Sequence, residues 1–423
     1  MSDDDKLEIS RRRVLGTVGA AGAAGIVLGA GGGAGVYAAV ADSGSSTTTD
    51  PKALTTVGAT QAMFHGKHQA GITTPLQSRG HLVAFDLAPG AGRKEAAALL
   101  RRWSATAKAL MAGKPSTDDT GIALDAGPSS LTVTFGFGHS FFGRTGLTAR
   151  RPTQLDPLPA FSADALDPKR SEGDLWVQIG ADDALVAFHA LRALQKDAGS
   201  AAKVRWQMNG FNRSAGATAK PMTARNLMGQ VDGTGNPKPT DPDFDRRIFV
   251  PETTAGTSGA QEWMAGGSYA VVRRIRMLLD DWEGLSLDKQ EQVIGRRKSD
   301  GAPLTGGSET TELDLDKVGP DGKPVIPDNA HSRISAPEQN GGAAMLRRPF
   351  SFHDGIGQDG TPDAGLLFVC WQADPLKGFV PVQRKLDRGD ALSVFIRHEA
   401  SGLFAVPGGA AEGEYVGQRL LES

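Results

Sequence analysis

The chain has a single cysteine, Cys370, among its 423 residues. That excludes an intrachain disulfide framework and any multi-cysteine zinc or iron–sulfur site, leaving eight histidines as metal-ligand candidates. It also lacks an excess of charge: 46 Lys and Arg stand against 48 Asp and Glu, a net of -2. No general electrostatic case for nucleic-acid binding survives that balance. The composition likewise excludes a collagen and a multi-span membrane protein. Glycine, by contrast, is abundant, with 55 residues against a usual share of about 7%. Many backbone positions must then lie in turns or admit close approach by another group. With 39% hydrophobic and 22% charged residues, the chain can bury a sizeable core. At roughly 150 residues per domain it holds two or three domains, or one large one.

Residues 1–41 read as an export signal. From Val14 to Ala41 there is no charged residue, and Ser10-Arg11-Arg12-Arg13-Val14-Leu15 precedes that stretch. An arginine pair with a polar residue ahead and apolar residues behind is the twin-arginine signature. Ala39-Val40-Ala41 offers a small-residue cleavage site. The stretch is also long enough for a membrane anchor. Its many glycines, scarce large apolar residues and the polar run after Ala41 favour export. The twin-arginine route carries folded proteins, commonly with a cofactor already inserted. A chain that reaches an oxidising compartment without disulfides fits this route.

Residues 42–60, rich in Ser and Thr, read as a linker. The pattern in 61–215 is then strand, helix, strand, strand, helix, strand. The elements are His81–Leu87, Ala96–Met111, Leu131–Phe137, Leu175–Ile179, Asp183–Lys196 and Ala202–Met208. That order predicts a ferredoxin-like unit. After the polar stretch Asn212–Lys220 a similar order recurs in 216–423. Its strands are Ser268–Arg276, Gly365–Gln372 and Ala400–Val406, its helical segments Leu287–Ile294 and Gly378–Leu386. The predicted fold class is α+β, two ferredoxin-like halves packed together. The run Gly301–Asn340 is far longer than an ordinary loop, and such loops are functional or disordered.

The most informative segment is Asn226–Pro237, with Gly229, Gly233, Gly235 and Pro237 around Asp232. By itself it describes a tight loop whose aspartate bonds to its own backbone. It lacks the Gly-Lys-Ser/Thr ending of a phosphate-binding P-loop. Read with the rest of the chain it resembles the dye-decolourising peroxidases, whose hallmark Gly-x-x-Asp-Gly stands here as Gly229-Gln230-Val231-Asp232-Gly233. Phe64–Ile72 is similar to the family's N-terminal signature. Tyr269–Arg276 and Ile294-Gly295-Arg296 are similar to segments opening its second half, and Phe379–Gln383 and Gly402–Gly409 to its closing region. The resemblance spans about residues 60–410, and the exported branch of the family includes deferrochelatase-like proteins.

The resemblance implies one haem b per chain, held in the C-terminal half. His331, in Ala330-His331-Ser332-Arg333, matches the proximal iron ligand, an imidazole being a natural axial donor. Without the family it is one histidine among eight in a polar loop, and His65 and His68 are the strongest alternatives by spacing. Arg347 matches the distal arginine that stabilises charge as the O–O bond breaks, while Arg348 is expected to be a solvated surface residue. Asp232 becomes the distal acid–base group. Gly233, Thr234 and Gly235 should meet the haem edge. Ala336-Pro337-Glu338 lies where relatives often have Asn-Pro-Arg, so a glutamate replaces an arginine and Arg333 becomes the better cation for a propionate. Asp390 matches the carboxylate that receives a hydrogen bond from the proximal imidazole. Leu366 and Phe368 should supply apolar walls. His81, His139, His189, His353 and His398 keep structural readings.

The implied activity is a peroxidase that uses hydrogen peroxide to oxidise dyes, phenols or a protein- or metal-linked reductant through a ferryl intermediate. The six tryptophans and three tyrosines are surface-relay candidates, each read first as core packing. Iron release from haem, as in the deferrochelatase branch, is the alternative. A haem-binding partner protein in extracytoplasmic metal maturation is a third. Nucleic acid is not an expected partner, and a membrane only transiently during export.

Overall fold

A computed structural model of the chain describes residues 54–218, 222–252 and 259–422. The export signature, the cleavage site and most of the Ser/Thr-rich segment lie outside the described residues.

The first half runs β1 (Arg79–Leu87), α1 (Arg93–Met111), β2 (Thr132–Gly138), β3 (Leu175–Ala181), α2 (Ala184–Ala198) and β4 (Ala202–Phe211). Helix α1 buries Leu99, Leu100, Trp103, Ala107 and Leu110, the three-and-four spacing of one helix face. Helix α2 begins where the Asp183 carboxylate accepts from the Leu185 and Val186 amides. The four strands are antiparallel in the order β4-β1-β3-β2, the ferredoxin-like arrangement.

The second half repeats it with β5 (Ser268–Met277), α3 (Leu287–Ile294), α4 (His331–Ser335), β6 (Leu346–Arg347), β7 (Phe350–Ile356), β8 (Pro362–Gln372), α5 (Phe379–Gly389) and β9 (Ile396–Val406). Strands β6 and β7 were not expected from the sequence. They are two pieces of one strand along β8, with Leu346 opposite Trp371 and Phe350 opposite Leu367. Pro349, which has no N–H to give, separates them. The order is β7-β8-β5-β9, so the second half is ferredoxin-like too.

The halves join along both edges. Phe211 of β4 pairs with Ser351 of β7, and Phe137 and Gly138 of β2 pair with Ala405 and Phe404 of β9. The sheet thereby closes on itself, which covers four strand edges that would otherwise be open. Inside lie Trp176, Trp206, Trp371, Phe350 and Phe404, with Trp176 stacked on Phe404 at 5.3 Å between ring centres. Fully burying an aromatic side chain of this size contributes on the order of 3 kcal/mol.

Alternation along β8 sorts its residues between two faces. Leu367, Val369 and Trp371 point into the closed interior. Leu366 and Phe368 point outward, where Leu366 packs with Met228, Met277 and Trp282. Helices α1 and α2 cover the outer face of the first half. On the second half that face carries the long loops that build the site.

Candidate active site

His331 opens the short helix α4. Its approach to the sheet depends on Gly295, which ends α3 in the left-handed region at φ 85°. A Cβ there would lie 2.4 Å from Ser332 Oγ and 3.2 Å from the Ala330 Cβ, so only glycine lets α4 pack this closely. On the other side, the Ala391 amide donates to the Asn329 carbonyl at 2.9 Å and brings Asp390 beside the imidazole. His331 Nδ1 lies 2.7 Å from Asp390 Oδ2, and Asp390 Oδ1 accepts the Leu392 amide at 3.0 Å. A carboxylate accepts only, so the ring proton sits on Nδ1 and the Nε2 lone pair is left for a ligand.

The ring is half-buried, with 31% of its side-chain surface open, against 1% for Asp390. Burial disfavours the imidazolium, but the charge and hydrogen bond of Asp390 outweigh it; Asp232 adds to that pull and Arg347 opposes it. The net shift is above the ordinary histidine value. Asp232 and Arg347 thus lie within electrostatic reach of the imidazole.

The loop carrying Asp232 is tied at several points. The Asp232 amide donates to the Ala224 carbonyl at 2.8 Å, and Asn226 Nδ2 donates to Asp232 Oδ2 at 3.3 Å. Trp282 Nε1 donates to the Met228 carbonyl at 3.1 Å, and Arg225 Nη1 to that of Gly229 at 2.8 Å. Across from the carboxylate, Arg347 Nη1 stands 3.8 Å from Asp232 Oδ1. Asn236 holds this arginine at three atoms. Its Nδ2 donates to the Arg347 carbonyl at 2.8 Å, and its Oδ1 accepts from the Arg347 amide at 3.0 Å and Nε at 3.1 Å.

The long loop after Gly301 is the outer wall of this assembly. Thr234 Oγ1 donates to Glu309 Oε1 at 3.0 Å, and Thr223 donates to the same oxygen. Arg296 Nη1 fixes the wall through the carbonyls of Gly301 and Glu309 at 2.8 and 2.9 Å. Asn236 and Glu309 carry no sequence signal beyond being polar residues in glycine-rich loops.

Gly235 borders the Arg347 guanidinium: a Cβ there would lie 4.0 Å from Nη2. Gly233, half-buried, sits next to Asp232. Leu366 and Phe368 form an apolar surface on the same side of the sheet. Ala336 is buried behind α4, while Pro337 and Glu338 are exposed in the turn that follows. Arg333 does not stand free as an anion receptor. Both Nη atoms donate to the Leu315 carbonyl, Nε to that of Ile326, and Asp328 lies 3.4 Å away. Its charge staples the long loop. His65 and His68 each contact a backbone carbonyl through Nδ1, those of Ala410 and Gly266, and His68 stacks on Phe249.

Among the described residues no group of three or more His, Cys, Asp or Glu is placed to hold a bare metal ion. One imidazole with a free Nε2, apolar walls and a carboxylate–guanidinium pair instead suit an iron porphyrin, which brings four ligands of its own.

Residues 69–212 match the family described as Dyp-type peroxidase, N-terminal, and residues 223–411 match Dyp-type peroxidase, C-terminal. The chain belongs to the Dyp-type peroxidase family. A dye-decolorizing peroxidase of Thermobifida fusca is 43% identical over 99% of both chains. A deferrochelatase of Escherichia coli K12 is 36% identical over 85% of this chain and 86% of its own. The solved structure of ferric DtpA from Streptomyces lividans is 77% identical, with a TM-score of 0.85 over 88% of this chain and 99% of that one. Membership makes the protein a haem-dependent oxidoreductase with peroxide as electron acceptor.

For this Dyp-type peroxidase the reading of the tryptophans and tyrosines as core packing holds among the described residues, and the expectation for Arg348 is corrected. All six tryptophans are buried, as are Tyr269 and Tyr415, so among the described residues no tryptophan or tyrosine is an exposed relay. Arg348 is not a solvated neighbour of Arg347. It is 5% exposed and bonded to the first half, because the outward side of Arg347 leaves its neighbour facing inward.

Proposed function

We propose that His331 would hold the haem iron and that Asp232 and Arg347 would act as a pair on bound peroxide. The reading rests on one observation above all: the 3.8 Å approach of Arg347 Nη1 to Asp232 Oδ1 within the field of His331. Haem supplies an iron to which peroxide can bind and which can take up its two oxidising equivalents. Asp232 takes a proton from the incoming peroxide and returns it to the departing oxygen, which leaves as water. Arg347, held by Asn236, stabilises the negative charge that grows on that oxygen. Asp390 keeps the His331 ring oriented and makes it a stronger donor. The electrons come from dyes, phenols or a protein- or metal-linked reductant.

Iron release, the activity named for the deferrochelatase relatives, has no evident need for an acid–base group paired with a fixed cation. An absorption spectrum of the purified protein separates the two readings. A Soret band that shifts with one equivalent of hydrogen peroxide and returns on adding a phenol is the expected result. Loss of iron with recovery of free porphyrin would favour release.

Export by the twin-arginine route is part of the same proposal, supported by Ser10–Leu15 and the uncharged stretch behind it. An Arg11→Lys/Arg12→Lys precursor should accumulate in the cytoplasm with haem bound. Normal export of that variant, followed by fractionation, would point to the general secretory route instead.

A further inference from the structure

Arg348 is a buried cation, and among the described residues it has no counter-ion. Burial alone draws its pKa down to about 10, so it remains charged at neutral pH. Its guanidinium donates to the Gly71 carbonyl, to the Pro75 carbonyl at 2.9 Å and to Gln77 Oε1 at 2.9 Å. Among the described residues no carboxylate lies within ion-pair distance of it. Leaving a buried charged donor unsatisfied is costly, so these three oxygens fix where the guanidinium must stand.

The receptor is rigid and belongs wholly to the first half. Gly71 has φ 96°, and a Cβ there would lie 2.3 Å from Thr134 Oγ1, so glycine is required. Its carbonyl also accepts from Gln178 Nε2 at 3.0 Å, and Thr134 Oγ1 donates to the Ala70 carbonyl at 2.6 Å. Gln77 Nε2 donates to Thr132 Oγ1 at 2.9 Å. Gly71 lies in the N-terminal signature segment, Pro75 and Gln77 follow it, and none of His331, Asp232, Arg347 and Asp390 comes from this stretch.

On the other side of the same strand stands Arg347. Alternation sends neighbouring side chains to opposite faces, and the Arg348 amide still pairs with the Val369 carbonyl at 2.8 Å. At Pro349 the strand loses its ladder. There Asn212 Nδ2 holds the Pro349 carbonyl at 3.2 Å, and Phe350 fills the notch left by Gly80 and Gly210, where a Cβ would lie 2.6 Å from its ring and 2.5 Å from its Cβ respectively.

We propose that Arg348 is a positioning residue: by clamping the β6–β7 strand to the 71–77 segment, it sets where the Arg347 guanidinium stands over the peroxide site. The first half then serves the reaction without touching it. This rests on Arg347 being the distal cation. Small displacements of an oriented group can cost about 10²-fold in rate. Asn236 remains as a second tether, so a loss of roughly tenfold to hundredfold is expected.

A double-mutant cycle on haem-loaded protein tests it. Stopped-flow rates with hydrogen peroxide are measured for Arg348→Met, Arg348→Lys, Arg347→Leu and Arg348→Met/Arg347→Leu. Arg348→Met should be slowed roughly tenfold to hundredfold, Arg348→Lys should recover part of the rate, and Arg348→Met should add less than about threefold to Arg347→Leu. In apo-protein, hydrogen exchange of the 344–352 segment should speed up in Arg348→Met, with the segment around His331 unchanged. A wild-type rate in haem-loaded Arg348→Met, or its full effect persisting beside Arg347→Leu, overturns the inference alone. A wild-type rate in Arg347→Leu overturns the distal assignment and this inference with it. If Arg348→Met does not fold, Gln77→Leu, which removes one acceptor, enters the same cycle, and a wild-type rate there overturns the clamp.

Discussion

His331→Ala is expected to give a folded protein that holds no haem after purification. On the proposed assignment the substitution removes the protein–iron bond, and His65 and His68 are engaged in other contacts. It leaves the closed sheet untouched, because α4 belongs to the loop structure outside the strands. The main cost to folding is at Asp390, which loses a partner at 2.7 Å but keeps the Leu392 amide. An unpaired buried polar group costs about 1–3 kcal/mol, small enough for a domain of ordinary stability to survive. His331→Ala/Asp390→Asn, which removes the stranded charge, should restore most of that cost and still hold no haem. The ratio of Soret to protein absorbance, read beside far-UV circular dichroism, decides it. Full haem with an unchanged Soret band in the single variant would assign the ligand elsewhere.

The second large effect is at the distal pair. Loss of a positioned acid–base group costs roughly 10²–10⁴-fold, and loss of one charge-stabilising donor about 10²–10³-fold. Asp232→Ala and Arg347→Leu should both keep haem and react with peroxide at least a hundredfold more slowly, by about that order. The larger loss is expected in Arg347→Leu. Both side chains are within reach of solvent, 19% exposed for Asp232 and 29% for Arg347. Water entering there can relay a proton in place of the carboxylate, but cannot supply a fixed positive charge. Stopped-flow absorbance with hydrogen peroxide gives both rates. Near-wild-type rates in both, with haem fully loaded, would remove the peroxide mechanism and leave iron release as the better reading.

Local chemistry explains what was legible in advance. Ser286 caps α3, and its side chain accepts from the Lys289 amide; Asp183 does the same for α2. Such caps act over three residues, so they are visible in a linear string. The strands of the first half alternate or run apolar in the way a pleated, buried surface demands. The β7 strand escaped notice because Pro349 and Gly355 punctuate it, although Phe350 and Phe352 alternate across it and both point inward. Its place in the fold comes from one long-range pair, Phe211 with Ser351.

The candidate site divides along the same line. Asp232, His331 and Arg347 were selected by motif resemblance, since nothing in composition distinguishes His331 from seven other histidines. Residues 331 and 390 are 59 apart in the chain, and only the folded backbone brings them to 2.7 Å. Sequence by itself determined the elements of the first half, most of those of the second, the ferredoxin-like pairing of halves and the family, because helix caps, strand alternation and short motifs are local. Closure of the sheet, the threefold hold of Asn236 on Arg347, the grip of Glu309 on the distal loop and the inward turn of Arg348 were decided by tertiary structure alone. The reason is physical. Two adjacent arginines have the same chemistry and take opposite faces of one strand, and whether a face meets water or another half depends on residues hundreds of positions away, such as Gly71 beneath Arg348.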